Sequence, residues 1–134
     1  MIKKIEHIGI AVKDMNKAKA VYESLLDEDA YKIENVKSEG VETMFFKTGE
    51  SKIELLSATS DDSPIAKYIE KKGEGMHHIA FDVDDIEAEI KRLEGKGYQL
   101  LNKEPKTGAD NKIIAFLHPK SCNGVLVELC QEKS

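Results

Sequence analysis

The sequence predicts an α+β fold made of two tandem βαβββ modules, and three observations predict it. Two segments share one alternating pattern, "HIGIAV" from His7 and "HIAFDV" from His78, 71 positions apart (78 − 7). Each is followed by a short acidic turn and a stretch with helical 3-4 spacing of apolar residues. Each half then closes on a strand that carries one glutamate between apolar neighbours, Glu54 in "IEL" and Glu128 in "VEL", 74 positions apart (128 − 54).

In the first half, alternation puts Ile8, Ile10 and Val12 on one side of a strand and His7, Gly9 and Ala11 on the other. Met15, Ala18, Val21, Tyr22 and Leu25 mark the helix that follows. The runs "VETMFFKT" and "KIELLSA" are strands parted by the turn residues "GES". A segment of different character comes next, "DDSPIAKYIEKKGEG", in which Ser63 suits an N-cap and Pro64 the first helical position. In the second half, Ile79, Phe81 and Val83 form the apolar side of a strand, leaving His78, Ala80 and Asp82 opposite. Ile86, Ile90 and Leu93 carry its helix, which the glycines of "GKGY" end, and "KIIAFLHP" and "GVLVELCQ" follow as strands around "PKSCNG". The expected organisation is one domain over residues 1–134: module one at about 4–57, a linker helix at about 62–73 and module two at about 75–131.

Composition narrows the functional classes. The 134 residues are 40% hydrophobic, enough for one core, and the charges are mixed in sign with a net of −5, so no basic stripe tracks a nucleic acid. The apolar runs are strand length, short of a membrane span. "MIKKIEHIGIAV" passes from its lysines directly into strand alternation and has no small-residue cleavage site, so a cytoplasmic protein is expected. Cys122 and Cys130 lack CxxC spacing and read as free thiols in a reducing compartment.

A glutamate flanked by apolar residues in a strand faces away from them, toward solvent or into a polar cleft. The repetition favours the cleft. If the two halves pack with their sheets facing, His7, Glu54, His78 and Glu128 converge from four strands on one point. Two imidazoles and two carboxylates suit a divalent cation such as cobalt, nickel, manganese or zinc. Six-coordination would leave two positions, enough to chelate an enediolate through both oxygens. His77 turns away from His78 by alternation and takes the place of Glu6 in the repeat, a strand-edge or helix-facing polar residue.

Paired βαβββ modules with one His and one Glu from each half resemble the vicinal oxygen chelate superfamily, which includes glyoxalase I, extradiol dioxygenases, bleomycin-resistance proteins and methylmalonyl-CoA epimerases. The resemblance covers about residues 4–131 and implies sheets forming a half-barrel cleft around a metal. "DSPIAKYIEKKGEGMHHIAFDVDDI" and "FLHPKSCNGVLVEL" are similar to segments of the methylmalonyl-CoA epimerases, whereas glyoxalase I sequences carry a "DPDG"-like turn where this chain has "HPKSCNG".

The resemblance implies that His7, His78 and Glu128 hold the metal, with Glu54 in a slot where some members have Gln. It implies epimerisation at C2 of a malonyl thioester through an enolate, with Glu128 as one acid/base. The opposing base is sought in "GVETMFF", where Glu42 is the nearest carboxylate although simple alignment puts Thr43 at that spot. Lys112 in "NKI" and Lys120 in "HPKS" would meet the phosphates of coenzyme A. The alternative activity is that of glyoxalase I, isomerising a glutathione hemithioacetal with the same ligand set, and a non-enzymatic ligand-binding module is the third reading. The family and the open sheet edges point to a homodimer.

Overall fold

The computed structural model describes residues 1–133. They form eight strands and three helices: β1 (Ile2–Ala11), α1 (Met15–Leu26), β2 (Lys32–Val36), β3 (Val41–Thr48), β4 (Ser51–Ala58), α2 (Pro64–Lys72), β5 (Gly75–Val83), α3 (Ile86–Gly95), β6 (Lys106–Thr107), β7 (Lys112–Leu117) and β8 (Val127–Glu132). The α+β class and the element order are those the sequence predicts. By compactness the chain divides into two units, Ile8–His77 and Met1–His7 together with the described residues from His78 onward. β1 is thus shared: its first residues belong to one unit and the rest to the other.

Helix starts follow the sequence closely because each has a side-chain cap. The carboxylate of Asp14 accepts from the Lys17 N–H at 3.2 Å, the Ser63 hydroxyl from the Ala66 N–H at 3.1 Å, and Asp85 from the Ala88 N–H at 3.1 Å. The two acidic turns are therefore N-caps, and Pro64 occupies the first turn of α2.

In the unit Ile8–His77 the strand order is β2-β3-β4-β1. The β3–β4 ladder is antiparallel and unbroken from Val41↔Ala58 to Thr48↔Ser51. One face carries Met44, Phe46 and Leu55 against Ala18, Met15, Tyr22 and Leu26 of α1. The sequence pattern differs here. Leu26 packs while Val21 and Leu25 are exposed, because at 100° per residue positions 15, 18, 22 and 26 share a stripe and 21 and 25 fall on its flank. α2 adds Ile65, Tyr68 and Ile69 to a cluster with Ala11, Val41 and Leu56.

In the other unit the order is β1-β5-β8-β7-β6. β5 and β8 run parallel with Ala80 beside Glu128, and β7 runs antiparallel to β8 with Phe116 opposite Glu128 and Ile114 opposite Cys130. Ile86, Ile90 and Leu93 of α3 pack on Val83, Ala115, Leu117, Val127 and Leu129. The opposite sheet face holds a small apolar patch of Ala80, Ile114, Cys130 and half-buried Phe116. Side chains two apart on a strand share a face, so His78 and Glu128 join that patch. No helix among the described residues is long and apolar enough to cross a membrane.

Candidate metal centre

His7, His78 and Glu128 come together in one unit. The two Nε2 atoms are 3.0 Å apart, Glu128 Oε1 lies 3.1 Å from His78 Nε2 and 3.5 Å from His7 Nε2, and the imidazole planes are nearly perpendicular at 88°. All three residues are at most 7% exposed. Burial by itself would raise the Glu128 pKa, but hydrogen bonds and charge from His7 and His78 outweigh it and hold the carboxyl well below the usual range. Among the described residues, every buried side-chain nitrogen and oxygen has a partner.

This donor set fits a divalent cation. With metal–nitrogen bonds of about 2.1 Å, two donors at a right angle stand about 3.0 Å apart, close to the separations observed. Three donors from β1, β5 and β8 thus outline one triangular face of a coordination shell. Two imidazoles and a carboxylate suit a borderline divalent metal, and a cation of that charge offsets the cost of a carboxylate withheld from water.

Around this face lie residues of a second kind. His7 Nδ1 is 2.9 Å from Glu6 Oε1, and the other oxygen of Glu6 is 4.0 Å from Lys112 Nζ. Glu6 was not legible as a site residue; its only sequence signal is an acid directly beside a candidate ligand. Cys130 stands within 4.8 Å of the ligating atoms of Glu6 and His7. Its thiol donates to the Phe81 carbonyl at 3.5 Å, and burial, then the charges of Glu128 and Glu6, push its pKa up, so it is a neutral thiol. Phe116 sets its ring edge-on to His78 with centroids 6.0 Å apart, and Lys106 Nζ stands 5.8 Å from the centre of the Phe116 ring.

The other sequence candidates are placed as follows. Glu54 is buried on β4 in the unit Ile8–His77, opposite Phe45, on the sheet face it shares with Thr43. Glu42 pairs with Ser57 and lies on the opposite face, with Met44, Phe46 and Leu55. The unbroken register therefore separates Glu42 from Glu54 and puts Thr43 on the Glu54 face. Lys112 is the first residue of β7, 8% exposed, with its charge set against Glu6. Lys120 is exposed in a 3-10 turn at Pro119–Cys122. His77 meets Tyr68 of α2 edge-on, centroids 4.8 Å apart, as a helix-facing residue.

Known proteins are similar to this chain along nearly its whole length. The model of the Glyoxalase/Bleomycin resistance protein/Dioxygenase superfamily matches residues 6–116. The human protein named methylmalonyl-CoA epimerase, mitochondrial, is 43% identical over 129 residues, which cover 96% of this chain and 73% of that protein. A Cereibacter sphaeroides protein named ethylmalonyl-CoA/methylmalonyl-CoA epimerase is 41% identical over 133 residues, 98% of this chain and 99% of that one. The solved structure of a variant of Streptomyces coelicolor methylmalonyl-CoA epimerase, in complex with 2-nitronate-propionyl-CoA, superposes with a TM-score of 0.93 at 34% identity, covering 100% of this chain and 97% of that one. With the α+β architecture of this fold and a buried His7–His78–Glu128 donor set, the chain belongs to the Glyoxalase/Bleomycin resistance protein/Dioxygenase superfamily and, within it, to the methylmalonyl-CoA epimerase family.

Proposed function

We propose that this protein is a metal-dependent epimerase that inverts C2 of methylmalonyl-CoA by removing a proton from one face and returning one to the other. Its epimerase character follows from its relatives. The observation that carries the mechanism is the buried convergence of His7, His78 and Glu128. His7, His78 and Glu128 would hold the cation, and we propose Glu54, the matching glutamate of the repeat, as a fourth ligand because it too is a carboxylate kept from solvent on its strand. When bound, the cation supplies a Lewis acid that stabilises negative charge on the thioester oxygen.

The chain's own residues do the rest. Glu128 takes the C2 proton, the electron pair of the broken C–H bond moves onto the thioester as an enolate, and a solvent-derived proton delivered to the other face completes the inversion. Ala80, Ile114 and Phe116 keep water from this face of the sheet, which strengthens each electrostatic contact there. Glu42 has no part in the mechanism, because its register turns it to the α1 side of β3. Lys120 is proposed for the coenzyme A phosphates; Lys112 is not, because its charge is set against Glu6. A homodimer is proposed from the exposed Tyr31 and Ile33 at edge strand β2, and a cytoplasmic setting from the two free thiols.

The test is deuterium entry at C2 when cobalt-loaded protein meets methylmalonyl-CoA in heavy water, followed by NMR. Exchange with interconversion of the two epimers is expected. The glyoxalase I alternative is not favoured by the relatives, and turnover of a glutathione hemithioacetal without C2 exchange would overturn the epimerase reading.

A further inference from the structure

We infer that Glu6, backed by Lys112, is a positioning residue that fixes the orientation of the His7 ring, holding Nδ1 as its donor and turning Nε2 toward His78 and Glu128. A carboxylate only accepts hydrogen bonds, so the 2.9 Å contact between Glu6 Oε1 and His7 Nδ1 requires the proton on Nδ1. Nε2 of His7 is thereby held 3.0 Å from His78 Nε2 and 3.5 Å from Glu128 Oε1. Glu6 is a buried anion, and Lys112, itself buried, sets a cation 4.0 Å from its second oxygen. Lys112 thus sets a positive charge behind the carboxylate that His7 Nδ1 meets. Cys130, also close to Glu6 and His7, sends its thiol proton to the Phe81 carbonyl. Such a carboxylate behind an imidazole locks ring orientation and raises ligand basicity.

The metal part of this inference rests on the reading above; the tautomer does not. The first measurement uses the metal-free wild-type protein, with His7 assigned in a long-range 1H–15N spectrum at mildly alkaline pH. A proton on Nδ1 of His7 is expected, and an Nδ1 without a proton would overturn the proposal. The second titrates cobalt into wild type, Glu6→Ala and Glu6→Gln, with the visible cobalt spectrum as readout. Glu6→Ala is expected to lose about 10–100-fold in affinity and to shift His7 toward the Nε2–H form, while Glu6→Gln, which keeps an acceptor oxygen, restores the Nδ1 proton and part of the affinity. Unchanged tautomer and affinity in a folded Glu6→Ala would sink the idea; should that variant not fold, the wild-type tautomer decides. A chain that binds no metal yet carries the Nδ1 proton supports the orienting role and counts against the metal reading alone.

Discussion

His77 packs its ring edge-on against Tyr68, while the next residue along β5 turns its Nε2 to His7 and Glu128. Strand alternation alone produces that division, and it predicts opposite consequences for two neighbouring substitutions. His77→Ala should cost about 1 kcal/mol of stability, the worth of an aromatic pair, and leave metal binding intact. His78→Ala should abolish cobalt binding in the same equilibrium dialysis, and retention of a full equivalent would remove His78 from the ligand set. Register makes a similar separation on β3. Glu42 sits on the face toward α1 and away from Glu54, so Glu42→Gln should keep kcat/KM within about twofold, the range of substitutions remote from a site. A drop of about a hundredfold, or about 2.7 kcal/mol of transition-state stabilisation, would return Glu42 to the mechanism. The convergence of His7, His78 and Glu128 was legible because repeat and alternation are properties of the sequence itself. The Glu6–Lys112 pair was not, because it joins side chains of two strands far apart in sequence that no periodicity relates.

Among the elements, α3 shows what a helix pattern leaves out. Ile86, Ile90 and Leu93 make the apolar stripe that the sequence reveals, yet Glu89 is buried beside them. Its carboxylate accepts from the Met1 ammonium at 2.9 Å and, through its other oxygen, from Arg92 at 2.9 Å and 3.1 Å. The bond from the ammonium, then that from Arg92, lowers its pKa below the ordinary 4.5 against the opposing effect of burial. A lowered pKa means a stabilisation present in full above the ordinary value and lost as pH falls through the folded one. Glu89→Gln should therefore cost about 1–2 kcal/mol near neutral pH, and the gap from wild type in urea melts should narrow on acidification below 4.5. A gap that widens in acid would contradict this account. Gly40 makes a second element-level case, at φ +61° just before β3. A Cβ there would fall 2.8 Å from Ser63 Cβ and 2.9 Å from Ser60 Oγ, so Gly40→Ala combines left-handed strain with a clash next to the α2 cap. Its expected cost is about 2 kcal/mol, and a melt unchanged from wild type would refute it. The Ser63 cap of α2 and the acidic turns before α1 and α3 were readable from local chemistry, whereas the choice of Leu26 over Leu25 in α1 required knowing which stripe the sheet covers.

At the scale of the whole molecule, the sequence repeat and the compact units divide the chain differently at β1. Met1–His7 groups with the residues from His78 onward, while Ile8 onward groups with β2, β3 and β4. Local periodicity cannot foresee this, because residue pairs distant in sequence decide it: in the unit Ile8–His77, for one, the Val12 N–H donates to the Leu56 carbonyl at 2.9 Å. The consequence is thermodynamic. His7, His78 and Glu128 meet only when β1, β5 and β8 are in place, so the unfolded chain offers no such donor cluster and binding free energy at this point adds to folding free energy. A cation at about 100 times its dissociation constant should add about 2.7 kcal/mol, which for a chain of this length corresponds to about 10 °C in Tm. Calorimetry with cobalt, nickel, manganese or zinc should show that rise for at least one metal. Chelator should reverse it, and His78→Ala should eliminate it while His77→Ala preserves it. A Tm indifferent to all four cations at saturating concentration would mean that the His7–His78–Glu128 face closes on a proton rather than a metal.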